Sequence, residues 1–385
     1  MTQLSGTQGS SYADIGAWHD LVLSGERAEL AASVRRHLGD RFPLAALRAA
    51  FDRPPGPAPG WEEIAASGYP LVGAPESAGG IGSLADLAAL LEEAGRALLP
   101  VPLLATVLSM QTRLAAGIAL GDDAGTVPAA LGVARAGQLS GAALTGQLAG
   151  ATLTASRVAV LDAAAGGALI IAAPDGTGTI LADLDAAAMA PGVAAVPPAA
   201  GLTQIDPGRP VQVSDLDGVP AREVWRVEAS LDDVLARARV AVAADLTGVA
   251  AGALDRSVRH VLDRQQFGRK LGAFQAVKHK LADVYVAVER ARSLTRAAAI
   301  TLADPVTDPA ADTVDTRVLP LLAKAAAAEA ALQATAAFVQ VLGAMGVTFE
   351  ADAHLYFRRA QQTAPFLGSA AHCYRRAAEL QHDAG

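Results

Sequence analysis

The sequence predicts an α+β chain in three parts: a helical domain, a small antiparallel β domain and a second, longer helical domain. Three observations predict it. Apolar residues recur at helical spacing in both outer parts. The middle switches to short alternating runs punctuated by Gly, Thr and Pro. The core residues available are mostly Ala, Leu and Val, and alanine favours helix. At 385 residues the chain exceeds one ordinary domain. The boundaries fall at 1–15 for a polar Gly/Ser-rich leader, 16–120, 121–228 and 229–385.

In the first helical part, Leu30, Val34 and Leu38 mark one face, and the Pro-rich run 54–60 breaks it. Ala74-Pro-Glu-Ser-Ala-Gly-Gly-Ile-Gly82 is a glycine-rich turn, and Ser83 is the expected N-cap of a helix through Leu84, Leu87, Leu90 and Leu91. The turn lacks the Gly-Lys-Ser/Thr ending of a phosphate loop and has no clear strand before it, so a tight turn is the better reading. Strand-like runs begin at Gln147, Arg157, Ala168, Thr179 and Pro210. Asp183 and Asp185 share one strand face and read as solvated edge residues. After residue 231 the pattern gives four or five long helices, with a polar Pro-containing loop at 304–312 and an alanine-rich helix at 322–341. A further helix at 350–361 carries Tyr356 and the pair Arg358-Arg359, which helix-surface ion pairs explain.

A net charge of −8 and a pI near 5.4 argue against nucleic acid as a main partner. Cys373 is the only cysteine, which rules out a disulfide framework and a cysteine-rich metal site and fits a reducing cytoplasm. His354 and His372 lack a third ligand to suggest a metal. Residues 1–15 have neither a cationic start nor an apolar run, so no signal peptide is expected. No membrane span is expected either.

One stretch organises the chain. Residues 263–283 join two helical patterns through a short loop carrying Arg264, Gly268, Arg269, Lys270 and Gly272, and Gln275 opens the second helix. Gly268 is placed to cap the first helix in a left-handed conformation. A helix end, a guanidinium fork and a helix start suit an anionic group such as a pyrophosphate. A helix hairpin with a solvated basic turn satisfies the spacing equally well.

Three local patterns carry a resemblance. Arg264-Gln-Gln-Phe-Gly268 with Phe274-Gln-Ala-Val-Lys-His279 resembles the signature of the acyl-CoA dehydrogenases between two C-terminal helices. Gln340-Val-Leu-Gly-Ala-Met-Gly346 resembles that family's Gln-x-x-Gly-Gly-x-Gly turn. Pro75-Glu-Ser-Ala-Gly-Gly-Ile-Gly82, followed by Glu93-Ala-Gly-Arg96, resembles its N-domain pattern. The likeness runs from about residue 20 to 380. It implies an N-terminal helical domain, a middle antiparallel β domain and a C-terminal four-helix bundle. It also implies FAD as cofactor, an acyl-CoA substrate dehydrogenated between Cα and Cβ, and electron-transfer flavoprotein as electron acceptor. Arg264, Phe267 and Gln275 correspond to positions that contact the adenosine diphosphate part of FAD across a dimer interface. Gln340 and the turn through Gly343 and Ala344 correspond to further contacts with the same FAD.

The departures are as informative. The family's catalytic glutamate, in a Tyr-Glu-Gly-Thr segment, falls on Leu367, which cannot accept a proton. An alternative glutamate position in some relatives falls at about Ala238, also inert. The Thr-Glu-Pro-x-x-Gly-Ser-Asp and Trp-Ile-Thr types of segment that touch the flavin ring are missing between 121 and 227, and Ala344 replaces a glycine. Asp245 is a weak candidate for a replacement base: it lies two helical turns beyond Ala238, about 10 Å away. His279 sits beside the loop and reads as a surface or interface residue. The pattern is most like the base-lacking subunit of actinobacterial α2β2 acyl-CoA dehydrogenases, which share each FAD between unlike subunits. The alternatives are a homomeric enzyme with altered or non-redox chemistry, and a flavin-free structural partner.

Overall fold

The computed structural model describes residues 25–51, 59–140, 151–162, 167–176, 178–185, 205–303 and 316–383. The leader at 1–15, most of the Pro-rich breaker, the start of the run at Gln147 and the 304–312 loop lie outside these residues.

The N-terminal part holds α1 (Glu26–Arg41), α2 (Leu44–Phe51), α3 (Trp61–Ala66), α4 (Leu84–Ala97) and α5 (Leu103–Ala115). Ser83 caps α4 as expected: its Oγ accepts from the Asp86 amide, and the Asp86 carboxylate accepts from the Ser83 amide at 2.7 Å. The glycine-rich turn before it consumes its own amides. Ala78 and Gly80 donate to Pro75 O, Gly79 donates to Glu76 O, and Gly73 donates to Ile81 O. A Cβ on Gly80 would stand 2.1 Å from Ala74 O, so the turn is tight because the backbone crosses itself there.

The middle part is one sheet of six strands: β1 (Ala129–Val133), β2 (Ala136–Ser140), β3 (Thr152–Leu161), β4 (Ala168–Asp175), β5 (Gly178–Asp185) and β6 (Val211–Val227), in the order β1-β4-β5-β6-β3-β2. Pairing of β1 with β3 closes the sheet on itself. The expected antiparallel arrangement holds except between β1 and β4, which are parallel. Neither β1 nor β2 shows in the sequence, because their Ala- and Gly-rich residues carry almost no β-branched signal. Asp183 is no edge residue: β5 lies between β4 and β6, and burial raises the Asp183 carboxyl above its usual range.

The C-terminal part holds α6 (Leu231–Asp263), α7 (Gln275–Ala303), α8 (Val318–Leu342), α9 (Ala353–Thr363) and α10 (Ala370–Asp383). A Ser230–Asp233 capping box starts α6. Nearly every residue of α6 from Val234 to Leu254 is buried, which marks a helix enclosed on all sides. Val258 and Leu262 near its end are 37% and 54% exposed, because the helix runs out of the core toward its C-terminus. The stretch Val318–Val347 is long and apolar enough to cross a membrane by length and composition alone. In the fold, α8 is a core helix, with Ala323, Lys324 and Ala325 through Ala328 all buried.

Small residues set the closest contact. A Cβ on Gly95 of α4 would stand 2.0 Å from Asp245 O of α6, and one on Gly248 of α6 would stand 1.9 Å from Glu92 O of α4. The two backbones therefore touch. Gly248→Ala must part them and should cost about 1–3 kcal/mol, lowering the melting temperature. Gly39→Ala, where nothing lies within 4 Å of the new methyl, should instead raise it slightly. Equal shifts in the two variants would refute the close crossing.

Candidate cofactor site

The site residues foreseen in the sequence gather at one end of the C-terminal bundle. Helix α6 stops at Asp263, and Arg264 turns extended (ψ 131°) while its amide still donates to His260 O. Gln265 then pairs with Lys270, and Gln266 with Arg269, in a two-residue hairpin. Its tip is Phe267 (φ 52°) and Gly268 (φ 75°). Gly268 thus serves a β-turn and not the helix cap expected for it. Such tips need left-handed backbone at both central residues and prefer Asn-Gly. Phenylalanine there is strained, and the residue is 90% exposed, with Phe274 edge-on at 6.2 Å between ring centroids. The Arg269 guanidinium stacks on the other aromatic, 3.9 Å from the Phe274 centroid. A strained and solvated aromatic costs backbone energy and buries little.

Gln275 is the first residue of α7, at the helix end where amides face outward and the dipole is positive. Gln340 stands near the end of α8, and Lys280 of α7 donates to its Oε1. The 3-10 turn Gly343–Val347 follows, with Gly343 (φ 64°) and Ala344 exposed and Gly346 buried against Val339. The Lys280–Gln340 bond joins the start of α7 to the end of α8, so the two sequence motifs meet. Exposed Leu262, Phe267, Met345, Val347 and Phe349 form apolar surface on these same turns. The residues suit the nucleotide end of FAD. Cationic and amide donors surround an open backbone, and a methyl on Gly268 or Gly343 would meet nothing within 4 Å. His279 is exposed, as foreseen.

The proton-accepting positions are different. Ala238 is fully buried on α6. Leu367, with φ 56°, is buried in the turn between α9 and α10. That turn is clamped by Lys324 of α8, whose ammonium donates to the carbonyls of Ala364 and Gly368, and burial pulls its pKa down to about 8. Asp245 is not a replacement base. Both its oxygens accept from Arg209, at 2.6 and 2.9 Å, and the pair is buried. A carboxylate held bidentately by a guanidinium is fixed in place.

Sequence reasoning missed the network around that pair. Arg209 lies in the irregular segment before β6, where periodicity says nothing. Arg359, expected on a helix surface, is fully buried and donates to Asp206. Gln362 exchanges hydrogen bonds with the Asp206 backbone at 3.0 and 3.1 Å. The network stitches the segment entering β6 to α6 and α9. Asp162, at the end of β3, faces the same groups, so three carboxylates (Asp162, Asp206, Asp245) meet two guanidinium groups (Arg209, Arg359). Burial, opposed by the two arginines, pushes Asp162 up to about 6.

Two outcomes follow from this network. Between pH 4 and 6 the folded chain holds a proton on Asp162 that the unfolded chain has released, so stability falls as pH rises through that window. Asp162→Asn should therefore melt higher than wild type at pH 7 and no higher at pH 4; a lower melting point at pH 7 would contradict it. Arg209→Met strands the Asp245 charge and should cost about 3–5 kcal/mol, most of it recovered in the Arg209→Met/Asp245→Leu double variant. Denaturant titration of the three proteins checks this.

Comparison with known proteins agrees with the fold. The family model "Acyl-CoA dehydrogenase, C-terminal domain" matches residues 229–379. Acyl-CoA dehydrogenase IpdE2 of Mycolicibacterium smegmatis is 32% identical over 360 residues, spanning 89% of this chain and 93% of that protein. A variant of the Tcur3481–Tcur3483 steroid ACAD superposes with a TM-score of 0.75 at 30% identity, over 94% of this chain and 99% of that one. The ChsE4–ChsE5 complex from Mycobacterium tuberculosis gives 0.73 at 25% identity, over 93% and 98%. Similarity of this extent along nearly the whole chain, on a shared helix–sheet–helix fold, makes this protein a member of the acyl-CoA dehydrogenase family of FAD-dependent oxidoreductases.

Proposed function

We propose that this chain is the base-lacking subunit of a heteromeric acyl-CoA dehydrogenase. It completes the FAD site of a homologous partner and leaves proton abstraction to that partner. The observation that carries this reading is a contrast. Arg264, Phe267 and Gln275 are held exposed at a strained hairpin, while Leu367, Ala238 and the ion-paired Asp245 offer no base. FAD, when bound, supplies the hydride acceptor for the substrate's β carbon. This chain's part is to grip its other end. Arg264 neutralises pyrophosphate charge, Gln275 and the α7 N-terminus donate to it, Phe267 covers apolar surface, and Gln340 with Gly343 and Ala344 closes the nucleotide side.

Similarity to the ChsE4–ChsE5 complex and to a steroid ACAD built from two named components supports an α2β2 assembly and an acyl-CoA with a steroid-derived acyl group. Reducing equivalents then pass to electron-transfer flavoprotein. The single thiol, Cys373, is buried and free, in keeping with action in the cytoplasm.

Co-expression with a homologous acyl-CoA dehydrogenase subunit tests the proposal. The chain alone is expected to be colourless and the complex yellow. A purified homo-oligomer that carries flavin and dehydrogenates an acyl-CoA would instead establish the homomeric alternative. In the complex, Arg264→Ala removes one charge-assisted contact worth about 1.5–3 kcal/mol and should weaken FAD binding at least tenfold. Unchanged flavin affinity would mean that this chain does not hold the nucleotide.

A further inference from the structure

Lys280 has no role in the reading above, yet it touches one of the residues that reading depends on. It is half-buried, five positions into α7 from Gln275, and its ammonium donates to Gln340 Oε1. A glutamine amide has an accepting end and a donating end, and alone it is free to present either. An ammonium carries donors only, so the amide oxygen must turn toward Lys280. The amide NH2 then faces away from Lys280, at an exposed position beside the open turn at Gly343. The neighbouring turns expose further donors, Arg264, Arg269, Lys270 and the α7 N-terminus, along with the Asp263 and Glu350 carboxylates. Four cationic or amide donors around the Gln340 amide suit a ligand rich in acceptors.

We propose that Lys280 is a positioning residue that fixes the Gln340 amide as a donor toward the acceptor atoms of a bound nucleotide. This rests on the nucleotide reading of the site. Lys280 acts through Gln340 and need not touch the ligand. The bond also ties the start of α7 to the end of α8, so the two halves of the site keep one geometry.

The test uses the heteromeric complex stripped of flavin and titrated with FAD, with affinity read from fluorescence. Lys280→Met should weaken FAD binding about five- to tenfold, the effect of one misoriented hydrogen bond, and Lys280→Arg should restore most of it. Gln340→Glu keeps a partner for Lys280 but has no donor, so it should lose FAD affinity while its melting temperature holds. A merely structural Lys280–Gln340 link would lower the melting temperature of Lys280→Met and leave its FAD affinity unchanged. In a Gln340→Met background, adding Lys280→Met should change affinity less than twofold. Fully additive losses would show that Lys280 meets the nucleotide directly and would overturn the proposal, as would wild-type affinity in Lys280→Met. Failure of the wild-type complex to take up FAD would overturn the nucleotide reading itself.

Discussion

Enclosure of helix α6 is the constraint on which the rest of the structure depends. Over 20 residues it is buried on every side, and it can be so only because its surface is mostly Ala, Gly and Val. Gly95 and Gly248 let α4 and α6 approach until backbone meets backbone. Gly252 extends the contact, with Arg96 O 2.9 Å from where its Cβ would stand, and the Tyr356 hydroxyl donates to that same carbonyl at 2.6 Å. Helices this close transmit position well. Once α6 is fixed, its C-terminal end fixes Arg264 and the hairpin.

Polar groups are spent in two contrasting ways. Inside, Arg209–Asp245 and Arg359–Asp206 lock the segment entering β6 onto α6 and α9, and the excess carboxylate, Asp162, pays in ionisation. Buried pairs of this kind specify an arrangement more than they stabilise it. Outside, Arg264, Phe267, Gln275 and Gln340 are held in exposed and partly strained positions. Stability resides where no chemistry is offered, and the groups fit for a ligand sit at the rim, where a second subunit can meet them. A subunit that completes a neighbour's cofactor site has this distribution.

The turn between α6 and α7 was legible because its motif is local, though its β-hairpin form was not. Arg264, Phe267 and Gln275 lie within 12 residues, so spacing and resemblance together located them. The helix starts at Ser83 and Ser230 follow short-range capping chemistry, and Ser83 was read directly. Strands β1 and β2 were not legible, since alanine and glycine carry little strand preference and sheet pairing supplied what local sequence did not. The fate of Asp245 was equally hidden. Its partner is 36 residues upstream in a segment without periodicity, and nothing in the helix pattern says whether a polar residue faces a ligand or a guanidinium.

By itself the sequence determined the succession of helices, strands and helices, that Leu367 and Ala238 carry no proton-accepting group, and which residues stand in the turns at 264–275 and 340–346. Those are properties of composition, short-range spacing and residue chemistry. Only the tertiary structure decided that Asp245 and Arg359 are bound inside, that β1 runs parallel to β4, that the turns at 264–275 and 340–346 share one surface, and that Phe267 stands in solvent. Each of these depends on which distant segment lies opposite, and burial, pairing and ion-pair partners are set by packing across the chain.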